Sequence, residues 1–231
     1  MDAPERISSD GAGLPPGHPA RAPYRDPAAA DAYARDRFSR GTGPETDRRE
    51  REILAALLAR ASLRPGDRVL DCPAGAGRLA GFLGERGLAV FSAEPSGPMR
   101  AHAAAALVAA GLPRRVAAAD ALALPFRERS FDLVLCHRLA HHLEGADERR
   151  SLLRSLAAAS RRWVLLSWFD ALSLQHLRRV VRRPFRPSRR HAVTRGTLVR
   201  DAAASGLRPV ALRALRPRVS ELSFALLERV G

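Results

Sequence analysis

From Pro65 onward the chain alternates short apolar runs with longer stretches of helical periodicity. "RVLDC" (68–72), "LAVFSAE" (88–94), "RRVAAAD" (114–120), "FDLVLC" (131–136) and "RWVLLSWF" (162–169) read as five strands. Between them, Gly77–Arg86, Pro98–Ala110 closed by Gly111, and Glu144–Ser160 read as helices. Apolar strands that alternate with helices predict a doubly wound, mostly parallel sheet buried on both faces. The end of the chain breaks this rhythm. "TRGTLVRDAAASGL" (194–207) predicts one more helix, and "RPVALRALR" and "SELSFALLERV" predict two strands parted at Pro217. The expected fold class is α/β, with a seven-stranded sheet that ends in an antiparallel hairpin.

Upstream of Pro65 the pattern divides in two. Residues 1–30 are rich in Pro, Gly and Ala without periodicity, which predicts a flexible tail. Residues 31–64 predict a helical lid: a short helix bearing Tyr33 and Phe38, a Gly-Pro break, and a second helix with Ile53, Leu54, Leu57 and Leu58 on one face. Thr46 or Asp47 is the expected N-cap of that second helix. Residues 65–231 would form the main domain, within which 170–193 is an arginine-rich segment.

Composition adds bounds. A chain of 231 residues with 46% apolar content can bury one sizeable core. No apolar run reaches the 18 residues of a membrane span, and "MDAPERISSDGAG" carries acids and no apolar stretch, so a cytoplasmic location is the expectation. The two cysteines, Cys72 and Cys136, form no C-x-x-C pair, which predicts two buried thiols rather than a disulfide or a metal site. The formal charge of +15 would suggest a polyanionic partner, but every basic residue outside the histidines is arginine, a bias spread over the whole chain.

Candidate chemistry begins at "DCPAGAGR" (71–78), a glycine turn between a strand and a helix. Such a turn places N–H groups and a positive helix end at the carboxyl edge of the sheet, where nucleotides bind. By itself it admits a dinucleotide, an adenosyl cofactor or no ligand. Asp71, Glu94 and Asp120 each close a predicted strand, so three acceptor-only groups would converge on that edge. They suit a ligand rich in donors, with a cationic amine, ribose hydroxyls and an exocyclic amine. An acid directly beside the turn disfavours a pyrophosphate.

With "VLDCPAGAGRLA", "VFSAEPSGPM", "AADALALPFRERSFDLVLCHRLAHHL" and "FALLER" in this order, the chain resembles the class I S-adenosylmethionine-dependent methyltransferases, in particular the type 11 domain. The resemblance runs from Arg68 to the C-terminus and implies a Rossmann-like fold with S-adenosylmethionine as cofactor. It implies that Asp71 faces the methionine amino group and that the backbone at Ala74, Gly75 and Gly77 passes close to the methionine and ribose. Glu94 would accept from the ribose hydroxyls, with Pro95, Ser96 and Met99 near the adenine. Asp120 would accept from the adenine amine and the Ala121 N–H would reach a ring nitrogen. Cys136 and His137 would close over the methionine end. Pro73 departs from the D-x-G-x-G-x-G pattern and lacks the N–H that a glycine would offer.

The acceptor is less legible. "LCHR" after the fourth strand lacks the Asn/Asp-Pro-Pro-aromatic tetrad of base-amine methylation, and no Pro-Cys nucleophile is present, so a small-molecule or lipid acceptor leads over nucleic acid. His137, His141 and His142 are candidate bases near the methyl-donor end, and Tyr33, Phe38, Trp168 and Phe169 are candidate pocket walls. From Ala171 to Arg200 the chain holds nine arginines and no acid, interleaved with Leu172, Leu174, Leu177, Val180 and Val181. That pattern fits an acidic or phosphate-bearing acceptor or an anionic membrane surface, and equally a solvated arginine-rich face. The competing functions are an RNA-binding or RNA-modifying protein on this scaffold and an NAD(P)-dependent oxidoreductase.

Overall fold

The computed structural model describes residues 26–36, 41–182 and 190–231. Helix α1 (Pro27–Asp36) begins where the Asp26 carboxylate accepts the Ala29 N–H at 3.0 Å. The last residues of the expected tail, 27–30, are therefore its first turn, while residues 1–25 and Phe38 lie outside the described residues. Helix α2 (Gly43–Ala61) starts three residues before the first expected cap. Pro44 sits in its first turn, where a missing N–H costs nothing. Thr46 is already inside the helix, its hydroxyl donating to the Thr42 carbonyl, and Asp47 pairs with Arg51 one turn on. Leu54, Leu57 and Leu58 are buried as their spacing requires, and the helix ends at Ser62 in the left-handed region.

The strands are β1 (Arg68–Asp71), β2 (Ala89–Ala93), β3 (Val116–Ala117), β4 (Phe131–Cys136), β5 (Ser160–Phe169), β6 (Leu207–Ala214) and β7 (Leu222–Arg229). They form one sheet in the order β3-β2-β1-β4-β5-β7-β6, parallel except where β7 pairs antiparallel with β5 and β6. Successive residues point to opposite faces, so each inner strand feeds two cores. Leu70, Val134 and Val164 meet Leu152, Leu153 and Leu156 of α5 (Ala146–Ala159) and Leu198 of α7 (Arg195–Ala203) on one side. Val69, Leu133, Leu135 and Leu165 meet Leu54 and Leu57 of α2, Leu83 of α3 (Ala80–Gly84) and Leu107 of α4 (Gly97–Ala109) on the other. Helix α6 spans Leu174–Arg182.

Two expected elements shrink. The helix expected from Gly77 is reduced to α3, because Gly75 and Gly77 hold left-handed φ of +55° and +77° and delay its first turn. The third strand keeps only Val116–Ala117, the part that pairs with Ser92 and Ala93. Asp120 therefore does not close that strand. It lies three residues beyond, in an isolated bridge with Ala123.

Candidate cofactor and acceptor site

A cavity of about 740 Å³ opens at the carboxyl edge of the sheet, across the ends of β3, β2, β1 and β4. The strand order reverses between β1 and β4, which is where a doubly wound sheet leaves a crevice. Asp71, Glu94 and Asp120 line it together with Pro73, Ala74, Gly75, Pro95, Ser96, Met99 and Ala121. His137, Arg138, His141, His142, Tyr33 and Arg190 line it as well. Given the strand order, acids follow β1–β3 while histidines and Arg138 follow β4.

At the acidic end Glu94 organises the backbone. Its Oε2 accepts the Gly75 N–H and its Oε1 accepts the Ser96 N–H, both at 2.9 Å. These bonds fix both carboxylate oxygens of Glu94 at the cavity wall. Ser96 then caps α4 by accepting the Met99 N–H. The Ala74 N–H donates to the Ala93 carbonyl and the Gly77 N–H to the Ala74 carbonyl. The N–H groups of Ala74, Gly75 and Gly77 are thus spent internally, and at Gly75, on the cavity wall, a Cβ would meet nothing within 4 Å. Gly77 serves packing instead: a Cβ there would stand 2.8 Å from Ala103 Cα, so this glycine faces α4 and does not line the cavity.

Asp71 is buried, and burial pushes its carboxyl up to about 7, with Arg78 pulling down and the Glu94 charge pushing up. A cation placed in the cavity would restore its charge. Asp120 accepts the Leu122 N–H at 3.1 Å, which turns the chain so that both Asp120 and Ala121 reach the cavity.

The other end is built around a residue absent from the sequence expectations. Glu50 of α2 is fully buried and binds Arg78 Nη2 at 2.7 Å, His137 Nε2 at 3.0 Å, and Arg138. Burial alone would raise its carboxyl, but the hydrogen bond to His137 and the neighbouring cationic groups hold it down at about 2. Burial pushes His137 down to about 4, so its ring is neutral at pH 7. The neutral ring donates from Nε2 to Glu50 and accepts at Nδ1 from the Ser167 hydroxyl, 3.0 Å away, while Ser167 Oγ accepts the Arg138 N–H. Both nitrogens of His137 are committed, which makes it a positioning residue. Glu50 had one readable signal: it falls four positions before Leu54 and seven before Leu57, on the buried face of α2.

His141 stacks flat on Phe169, ring centres 4.0 Å apart, and burial pushes it down to about 2. Phe169 therefore backs His141 and does not itself line the cavity, and Trp168 is buried in the core on the α5 side. Cys136 and Cys72 are also fully buried free thiols, pushed up by burial, and Cys136 ends β4 beneath the cavity rather than in its wall. Of the expected aromatic walls, Tyr33 alone among the described residues reaches the cavity.

The residues fit an adenosyl-sulfonium cofactor: a cavity of the right size class, three convergent carboxylates, and a loop whose one unobstructed glycine lies beside Asp71. Comparison with known proteins agrees. A methyltransferase domain family model matches residues 70–162. Protein-L-isoaspartate O-methyltransferase of Methylorubrum populi is 34% identical over 107 residues, 46% of this chain. The chain spans about half the length of that curated relative, 50%. Magnesium protoporphyrin IX methyltransferase of Synechocystis, solved with bound S-adenosylhomocysteine, superposes with a TM-score of 0.70 at 18% identity, over 87% of this chain and 98% of that one. An S-adenosylmethionine-dependent methyltransferase of Clostridium acetobutylicum superposes with a TM-score of 0.67 at 12% identity, over 88% and 98% of the two chains. The stretch that matches the methyltransferase domain model, residues 70–162, holds β1, the glycine turn and the Asp71–Glu94–Asp120 edge of the cavity, and the chain shares the fold of these methyltransferase structures.

Proposed function

We propose that this protein transfers the methyl group of S-adenosylmethionine to an anionic small-molecule or lipid-like acceptor. The observation that carries the reading is the division of the cavity wall, with carboxylates after β1–β3 and Arg138, Arg190, His141 and His142 at the β4–β5 side. Asp71, Glu94 and Asp120 would hold the amine, the ribose hydroxyls and the adenine amine of the cofactor. The cofactor supplies the activated methyl group, and the acceptor attacks it in line. The protein's own work is alignment, exclusion of water and, where the nucleophile carries a proton, its removal.

Arg190, with Arg138 held by Glu50 on the same side of the cavity, favours a carboxylate or phosphate on the acceptor, since guanidinium groups pair with both. The name of the Methylorubrum relative describes O-methylation of an acidic residue, which agrees with that charge. Because His137 has no free nitrogen, His141 and His142 are the residues we assign to proton removal. Burial keeps His141 neutral at pH 7 but pushes it down to about 2, far from the operating pH at which a general base is most effective, which makes it a weak base.

The test is incubation of the protein and isotopically labelled S-adenosylmethionine with cell extract, followed by mass identification of the labelled product. A labelled carboxylate- or phosphate-bearing compound supports the reading. A labelled product without an anionic group removes the acceptor assignment, and no labelled product in any extract removes the activity. His141→Ala and His142→Ala then separate base from wall: loss of turnover with cofactor affinity unchanged marks a base.

A further inference from the structure

Helix α6 is amphipathic in the reverse of the usual sense. Its polar residues face the protein: Arg179 pairs with the buried Glu221 at 2.9 Å, His176 Nδ1 lies 2.9 Å from Arg179, and Gln175 Oε1 accepts the Glu221 N–H at 3.2 Å. Its apolar residues face outward. Leu177 is 59% exposed and Val181 67%, and Leu174 and Val180 are exposed beside them. Leu172, just before the helix, is 74% exposed, and Val219, whose carbonyl accepts the Gln175 N–H, is exposed next to it. Six of the eight large exposed apolar side chains among the described residues belong to this one patch. A surface helix of a globular protein normally turns its apolar stripe to the core, and a patch of this kind marks a surface meant to be covered.

Charge selects the cover. Arg178 and Arg182 flank the outward stripe, and no acidic residue occurs from Ala171 to Arg200, where nine arginines stand. Two acids that bond to this segment, Asp170 and Glu221, are buried and already paired with Arg195 and Arg179. An apolar stripe edged by arginines is the pattern of a helix lying in the plane of an anionic bilayer. We propose that α6 docks the protein on an anionic membrane surface, with Leu172, Leu174, Leu177 and Val181 entering the headgroup boundary. Arg179 also donates to the carbonyl of Arg190, a residue of the cavity wall, so docking would bring the cavity to the bilayer. The docking itself stands on the α6 geometry, and only the placement of the cavity rests on the proposed methyl transfer.

The experiment is co-sedimentation of the full chain with vesicles of phosphatidylcholine alone or mixed with phosphatidylglycerol. We expect binding to the mixed vesicles only, reduced to the phosphatidylcholine level by the double substitution Leu177→Glu, Val181→Glu and unchanged by Val108→Glu, an exposed apolar position on α4. S-adenosylhomocysteine binding, followed in parallel, should be the same in all three proteins, which shows that the variants fold and separates docking from the cofactor reading. No binding to the mixed vesicles, or binding indifferent to the double substitution, overturns the proposal. So does a concentration-dependent dimer that the double substitution dissolves, because the stripe would then face a second copy.

Discussion

Glu50 Oε2 lies 3.0 Å from His137 Nε2, tying helix α2 to the residue that leaves β4. Together with Arg78 and Arg138 this pair locks the glycine turn and the β4 end to one buried carboxylate. Glu50→Ala would take the shared carboxylate away from His137 and Arg138, while Arg78 keeps its pair with Asp47. Breaking a buried charged pair costs about 3–5 kcal/mol, so urea denaturation should show a loss of that size. Cofactor affinity should fall as well, because Arg78, His137 and Arg138 all line the cavity.

The same pair makes a pH prediction. The unfolded chain protonates His137 at its ordinary value of 6.5, whereas the folded chain does so only at about 4. Protons therefore bind the unfolded state more tightly, and this residue's share of stability falls as pH drops from 6.5 to 4. The slope is about 1.4 kcal/mol per pH unit. His137→Gln abolishes it, so the stability gap between native protein and variant should narrow over that window in denaturation curves at stepped pH.

Asp71 predicts the pH dependence of cofactor binding. Its carboxyl sits at about 7 in the free protein, and a cationic amine beside it favours the ionised form. Binding then displaces a proton below pH 7, and S-adenosylhomocysteine affinity should rise about tenfold per unit up to pH 7 and level off above it. Asp71→Asn should bind more weakly and show no such slope. Calorimetry in buffers of different ionisation enthalpy reads the proton directly.

Gly75 and Gly77 should respond differently to alanine. Both have positive φ, but only at Gly77 does a Cβ collide, with Ala103 Cα and Ala106 Cβ each at 2.8 Å. Gly75→Ala carries the backbone strain alone, about 1 kcal/mol. Gly77→Ala adds overpacking of about 1–3 kcal/mol against α4 and should show the larger drop in melting temperature.

The fold was readable where burial on both faces dictates composition. The expected span of β4 coincides with Phe131–Cys136 because this central strand is buried between two helical layers. β3 was overread because "RRVAAAD" is apolar through small alanines, yet it sits at the sheet edge with one neighbour and leaves after two residues. The sequence places Asp71, Glu94 and Asp120 at strand ends; Asp120 instead lies three residues beyond β3, yet the structure brings all three to one cavity. Glu50 was not visible as a site residue, since its partners His137 and Arg138 lie 87 and 88 positions away and meet it only when α2 crosses the end of β4. The outward stripe of α6 shows the same limit: spacing reveals an amphipathic helix, whereas which face turns to solvent is decided by Glu221, from a distant hairpin.

Titration of S-adenosylhomocysteine into the native protein and into Glu94→Ala, followed by heat, tests the cofactor site most directly. Losing the carboxylate that orders Gly75 and Ser96 removes two charge-assisted hydrogen bonds within the loop as well as the acceptor we propose for the ribose hydroxyls. Each such bond is worth about 1.5–3 kcal/mol, so the account predicts one-to-one binding by the native protein, at least tenfold weaker binding by the variant, and no binding of NAD by either. Equal affinity in the two proteins, or binding of NAD in preference to S-adenosylhomocysteine, would contradict it.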